Sequence, residues 1–207
     1  MSDIDIRVTR PLPGGRVGLL GGSFNPAHDG HRYISLEALK RLQLDRVWWL
    51  VSPQNPLKPK SDMAPLAERL ARARAVAGHP RIVVTAIEQR LGARYTVDTL
   101  AALTRAYEGT RFVWIMGADN MIQIRKWRRW PQIFHTVPIA IFVRPSYSFG
   151  AIGSPAAYCF ARDRVDMARA GALAEMSPPA WCFLHIRAHT ASATALRKRG
   201  WGGSSGR

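Results

Sequence analysis

Cysteine is nearly missing from this chain, which has two, Cys159 and Cys182, outside any Cys-x-x-Cys spacing. That excludes a disulfide-stapled scaffold and a cysteine-built zinc site, and it fits a reducing compartment. Long hydrophobic runs are missing too. The longest, Val47 to Val51 and Ile139 to Val143, are strand length, far short of the ~20 residues a membrane-spanning helix needs. The opening MSDIDIRVTR has no apolar core of a secretory leader, so the sequence predicts a cytoplasmic protein with no membrane partner.

Acidic side chains are scarce, 14 against 30 basic ones, for a formal charge of +16. Such a balance invites a nucleic-acid partner. The basic residues argue otherwise, being 25 arginines and only 5 lysines spread from Arg7 to Arg207 with few clusters. No dense basic patch interleaved with aromatics occurs, so we expect no nucleic-acid partner and read most of the arginines as solvated surface. What is present is a globular composition: 47% hydrophobic, with seven Trp and seven Phe to anchor a core. Disorder is excluded, and a chain of 207 residues is one domain's worth, able to bury roughly 70% of the surface its unfolded form exposes.

Short β-rich runs alternate with longer helical patterns. Strands are expected at 17–20, 46–52, 81–86, 111–116, 137–143 and 182–186, nearly continuous in apolar residues as strands covered on both faces are. Helices are expected at 30–41, 65–77, 96–107 and 118–124. The alternation predicts an α/β class, an open and mostly parallel sheet with helices on both faces. Residues 53–64 carry three prolines and read as a long loop leaving a strand's carboxyl end, where open α/β sheets bind ligands. The segment 145–180 is poorly legible, apart from a helical stretch near 163–174. Residues 1–15 and 200–207 read as flexible tails.

The strongest chemical signal follows the first strand, in Gly21-Gly22-Ser23-Phe24-Asn25-Pro26-Ala27-His28-Asp29-Gly30-His31. Two glycines permit a sharp turn and close approach to a phosphate. His28 and His31 then stand at a helix entry, where unpaired N–H groups and the positive dipole end favour an anion. Two imidazoles on one turn can serve the same phosphate. Other readings fail on spacing. The string is not a G-x-S-x-G elbow, no dinucleotide fingerprint or Walker loop occurs, and no third ligand completes a zinc site.

This string resembles the G-x-(S/T)-F-x-P-x-H-x-G-H signature of the nucleotidyltransferase superfamily with Rossmann-like cores. Ala191-Ser192-Ala193-Thr194-Ala195-Leu196-Arg197 is similar to that superfamily's second string, I-S-S-T-x-(I/V)-R, with Ala193 replacing a serine. Three further segments resemble one branch, the nicotinate-nucleotide adenylyltransferases: Arg94-Tyr95-Thr96-Val97-Asp98-Thr99-Leu100, then Gly117-Ala118-Asp119 with Trp127 following, and Arg144-Pro145. The resemblance covers residues 16–199 and implies a single nucleotidyltransferase domain.

The resemblance implies adenylyl transfer from ATP to nicotinate mononucleotide, giving nicotinate adenine dinucleotide and pyrophosphate in NAD biosynthesis. It implies His28, His31 and Arg197 as catalytic residues. ATP would be held by Gly21, Gly22, Ser23, Phe24, His28, His31, Ser192, Thr194 and Arg197. The mononucleotide would meet Lys58, Tyr95, Thr96, Asp119, Trp127 and Arg144, with Trp127 offering a flat face to the pyridine ring. Mg²⁺ would come with ATP, bound through phosphates and water with no direct protein ligand. The rivals are a sister enzyme using nicotinamide mononucleotide or pantetheine phosphate and, from another class, a basic nucleic-acid-binding module. The oligomeric state, a homo-oligomer included, is left open by the sequence.

Overall fold

A computed structural model describes residues 14–53, 63–143 and 148–186. Six strands, β1 (Arg16–Gly22), β2 (Arg46–Val51), β3 (Ile82–Thr85), β4 (Arg111–Gly117), β5 (Ile139–Val143) and β6 (Trp181–His185), form one sheet in the order β3-β2-β1-β4-β5-β6. Every neighbouring pair is parallel. The expected open α/β sheet is therefore present, and wholly rather than mostly parallel.

Strand alternation sorts the apolar residues onto two faces. Trp48 and Trp49, adjacent in β2 and both fully buried, enter different cores. One core gathers Trp48, Trp114 and Phe183 beneath α4 (Thr96–Ala106), α5 (Ala118–Gln123) and α6 (Trp130–Thr136), which contribute Leu100, Met121 and Phe134. The other gathers Trp49, Ile115 and Leu184 beneath α1 (Asp29–Arg41) and α2 (Leu66–Ala77), which contribute Ala38 and Ala73. Gly78 caps α2 at φ +44, a left-handed position where a Cβ is strained.

The four helices expected from periodicity are α1, α2, α4 and α5. The sequence did not reveal α3 (Ile87–Arg90), α6, α7 (Ser148–Ile152) or α8 (Pro155–Cys159), each seven residues or fewer and short for a 3.6-residue period; α5 is as short, but the 3₁₀ turn Ile124–Lys126 prolongs it. The stretch expected to be helical near 163–174 is a 3₁₀ segment, Met167–Glu175, opened by Asp166, whose carboxylate accepts from the Ala168 N–H at 2.8 Å. Of the expected tails, Gly14 and Gly15 are described, and both hydrogen-bond to the segment that enters β4: the Gly14 N–H donates to the Gly109 carbonyl and the Gly15 carbonyl accepts from the Arg111 N–H.

The strand order reverses at β1. From there the chain runs outward through β2 and β3, then returns to β4 on β1's other side. The carboxyl ends of β1 and β4 thus flank a topological switch point, the crevice where sheets of this kind bind ligands.

Candidate active site

Gly21 and Gly22 end β1 at that crevice. Neither has a positive φ, and the left-handed residue of the turn is Phe24, at φ 47. The expectation that the glycines make the turn is thus corrected. A Cβ on Gly21 would stand 2.3 Å from the Trp114 ring, so Gly21 is small because β4 presses an indole against it. Gly22 has ordinary space, and its carbonyl accepts from the Ser52 N–H at 3.0 Å, joining the end of β1 to the end of β2.

His28 is the N-cap of α1 and His31 its third residue. Their ring centroids are 3.8 Å apart, and the His28 backbone N–H donates to Nδ1 of His31 at 3.2 Å. Phe24 lies beneath, 4.7 Å from His31 and stacked on Trp49 at 5.0 Å. The Trp49 indole N–H donates to Oγ of Ser35 at 2.7 Å, and that hydroxyl donates to the His31 carbonyl at 2.8 Å. His28 is 7% exposed, Phe24 2% and Trp49 fully buried. The expected pairing of imidazoles at a helix entry is present, on an apolar platform that fixes it.

Across the switch point, Asp119 lies exposed in the first turn of α5. Gly117, not Asp119, is the N-cap, and the carboxylate folds back so that a Cβ on Gly117 would meet Oδ1 at 2.4 Å. Trp127 is half-buried and stands edge-on to Trp114 at 6.5 Å. Trp114 therefore touches both Gly21, in the string expected to meet phosphate, and the aromatic expected to receive a pyridine.

Tyr95 is the N-cap of α4 and Thr96 its first residue, so the N–H groups of Thr96 and Val97 lack acceptors inside the helix. The Arg128 guanidinium lies over the Tyr95 ring at 4.9 Å and Arg94 at 5.8 Å, while Arg129 pairs with Asp98. These contacts bring the start of α4 beside the segment that follows Trp127. Lys58, Arg144, Ser192, Thr194 and Arg197 lie outside the described residues. Among the described residues, no group of three or more His, Cys, Asp or Glu could hold a metal ion.

Three residues of the site were missed by sequence reasoning. Arg69 of α2 is 2% exposed and spends its guanidinium on backbone carbonyls: Ala64 at 2.9 Å, Ser23 at 2.7 Å, Ser52 at 2.8 Å and Pro53 at 3.0 Å. It thereby fixes the turn at Ser23 and both ends of the long loop after β2. Burial holds its pKa below the ordinary arginine value. Glu88 of α3 accepts from the Thr99 hydroxyl at 3.1 Å and from the Ser52 hydroxyl. Burial pushes its carboxyl up to about 7, against the opposing pull of those two hydroxyls. The third is Ser52, which both of them touch. An arginine beside Leu70 and Ala73 on the inward face of α2 was the available signal.

Comparisons with known proteins agree with this geometry. A cytidylyltransferase-like family model matches residues 19–199. A probable nicotinate-nucleotide adenylyltransferase of Parvibaculum lavamentivorans is 53% identical over 91% of this chain and 94% of its own length. One from Cereibacter sphaeroides is 60% identical over 73% and 82%. Among solved structures, Plasmodium falciparum nicotinic acid mononucleotide adenylyltransferase, complexed with NaAD, shares the fold at a TM-score of 0.64 and 14% identity, covering 89% of this chain and 83% of that one. On its sheet order, its paired histidines and these relatives, the chain belongs to the nicotinate-nucleotide adenylyltransferases of the cytidylyltransferase-like family.

Proposed function

We propose that this chain joins ATP to nicotinate mononucleotide, forming nicotinate adenine dinucleotide and pyrophosphate. The observation that carries the reading is the His28–His31 pair at the start of α1, set at the β1/β4 switch point opposite Asp119 and Trp127. The 5′-phosphate oxygen of the mononucleotide attacks the α-phosphorus of ATP. As the new P–O bond forms, the bond to the β-phosphate bridging oxygen breaks and pyrophosphate leaves. The attacking phosphate is already ionised, so no protein nucleophile is required. Catalysis is then alignment plus stabilisation of charge on the phosphoryl oxygens.

His28 and His31 donate to those oxygens, with Arg197, Ser192 and Thr194 meeting the departing phosphates. Mg²⁺ brought with ATP would be held through phosphates and water, with no direct protein ligand, and would supply neutralisation of phosphate charge. Asp119, in the first turn of α5, would accept from a ribose hydroxyl or a hydrated cation. Trp127 faces the pyridine ring, and the opening N–H groups of α4 at Thr96 and Val97 receive the pyridine carboxylate as a helix start receives any small anion. Lys58 and Arg144 reach the mononucleotide's phosphate. The positive charge of the chain draws both anionic substrates inward.

The cytosol is the expected compartment. Both cysteines are free thiols, and no helix among the described residues is long and apolar enough to cross a membrane. A pyrophosphate-release assay with ATP tests the reading. Release with nicotinate mononucleotide well above that with nicotinamide mononucleotide is expected. Release only with another phosphorylated acceptor would overturn it.

A further inference from the structure

The two substrate segments are not neighbours in sequence. The phosphate turn follows β1, while the start of α4, where the pyridine carboxylate is expected, lies some seventy residues later. Between them stands Glu88. Its carboxyl takes the Thr99 hydroxyl, one turn into α4, at 3.1 Å. It also takes the Ser52 hydroxyl at the end of β2. Ser52 in turn gives its N–H to the Gly22 carbonyl at 3.0 Å, and its own carbonyl receives Arg69 at 2.8 Å. The same Arg69 nitrogen donates to the Ser23 carbonyl at 2.7 Å. A continuous hydrogen-bonded path therefore runs from α4 through Glu88 and Ser52 to Gly22 and Ser23.

We propose that Glu88 is a positioning residue for adenylyl transfer: its carboxylate grips Ser52 with one hand and Thr99 with the other, holding the phosphate turn and the acceptor helix in one register. In-line transfer needs the attacking oxygen and the α-phosphorus, carried by different segments, to be aligned to within a fraction of an ångström. Neither segment controls that spacing alone. A carboxylate suits the role because it only accepts and can take both hydroxyl protons; the Thr99 hydroxyl also has the Tyr95 carbonyl at 3.3 Å, against 3.1 Å to Glu88.

The groups bearing on the Glu88 carboxyl are the Thr99 hydroxyl from α4, the Ser52 hydroxyl from β2 and burial. The nearest cation along the path is Arg69 of α2, which meets Ser52 on its backbone carbonyl rather than on the carboxyl. A carboxyl pushed up to about 7 in that setting is ionised at the alkaline side of neutrality, and the two-handed grip is complete only there.

The proposal rests on the adenylyl-transfer reading, and the experiment separates the two. Wild-type turnover of ATP with nicotinate mononucleotide is measured first, from pH 5.5 to 8.5; its absence would fail the reading itself. Given turnover, Glu88→Gln is compared across the same range, along with the binding of each substrate alone. Wild-type kcat is expected to rise through about pH 7, whereas Glu88→Gln loses that rise and runs about tenfold slower at pH 8, the scale of a small misalignment. Each substrate alone should bind the variant within about twofold of wild type, since only relative placement changes. The second ionisation of the mononucleotide phosphate, near pH 6, is common to both proteins.

Thr99→Val removes one hand and supplies a second route if Glu88→Gln folds poorly. It should also lower kcat at pH 8, and the double variant should lose less than the two single losses combined, as residues on one path do. An unchanged kcat and pH profile in Glu88→Gln would overturn the proposal. So would a loss confined to the affinity of one substrate, or fully additive losses in the double variant.

Discussion

His28 gives its backbone N–H to Nδ1 of His31 at 3.2 Å, while the two rings lie 3.8 Å apart. An Nδ1 that accepts carries no proton, so the neutral His31 ring carries its proton on Nε2. That edge is a donor, as a phosphate site requires. The main chain of one histidine thereby sets the tautomer of the other.

Replacing His31 removes that donor where phosphoryl charge develops. His31→Ala should lower kcat by about 10²- to 10³-fold, the usual effect of deleting one such donor. The fold should survive, because the platform of Phe24 and Trp49 does not depend on the ring. Turnover and far-ultraviolet circular dichroism measured together check both parts; near-normal turnover would remove His31 from the reaction.

The Gly21–Trp114 contact makes a different prediction. A methyl group on Gly21 would sit 2.3 Å from a ring carbon of Trp114, and the ring is held by a buried core. Gly21→Ala should cost about 1–3 kcal/mol, as overpacking does. For a chain of this size that corresponds to a fall in Tm of roughly 2–4 °C per kcal/mol. Pairing it with Trp114→Leu should recover part of the loss by opening the space. Equal Tm values for Gly21→Ala and wild type would show that the strands can simply part.

Ser35 tests the support beneath His31. Its hydroxyl accepts from Trp49 and donates to the His31 carbonyl, and both Ser35 and Trp49 are fully buried. Ser35→Ala leaves an indole N–H without its acceptor, at a cost of about 1–3 kcal/mol. Denaturant midpoints should fall while kcat stays within a few-fold, because the rings keep their stacking partners. A kcat loss as large as that of His31→Ala would mean that Ser35 acts in the chemistry.

The contrast among these residues shows what one chain can disclose by inspection. Every strand and the three long helices α1, α2 and α4 were legible because their apolar periods are set by local geometry: continuous runs for two-sided strands, a 3.6-residue period for helices. The pairing of His28 and His31 was legible because its residues are contiguous at one helix entry. Arg69 and Glu88 were not, since their partners are mostly backbone carbonyls and hydroxyls tens of residues away. The inward face of α2 could show that Arg69 is buried, but no neighbouring residue names the partners of either side chain. The glycines were read for a sharp turn and a close approach to phosphate, whereas the left-handed turn is taken by Phe24 and Gly21 is kept small by Trp114 in another strand.

Glu88 finally predicts that stability falls as pH rises. Its folded-state carboxyl titrates at about 7 against an ordinary value of 4.5. Between those values the folded chain holds a proton that the unfolded chain has released, so each rise in pH favours unfolding. Above pH 7 both states are ionised and the whole penalty is present, at most on the order of 3 kcal/mol and smaller for a partly exposed group. Below pH 4.5 both are protonated and the penalty vanishes. Glu88→Gln cannot ionise, so relative to wild type it should gain most stability at pH 8 and only a small part of that at pH 5. Urea midpoints at the two pH values measure this, and the difference between the proteins cancels groups common to both. A gap that does not change with pH would mean that Glu88 titrates as an ordinary carboxylate. A gap that opens at pH 8 would show a carboxylate kept at a cost to the fold, which is the expected mark of a residue retained for positioning.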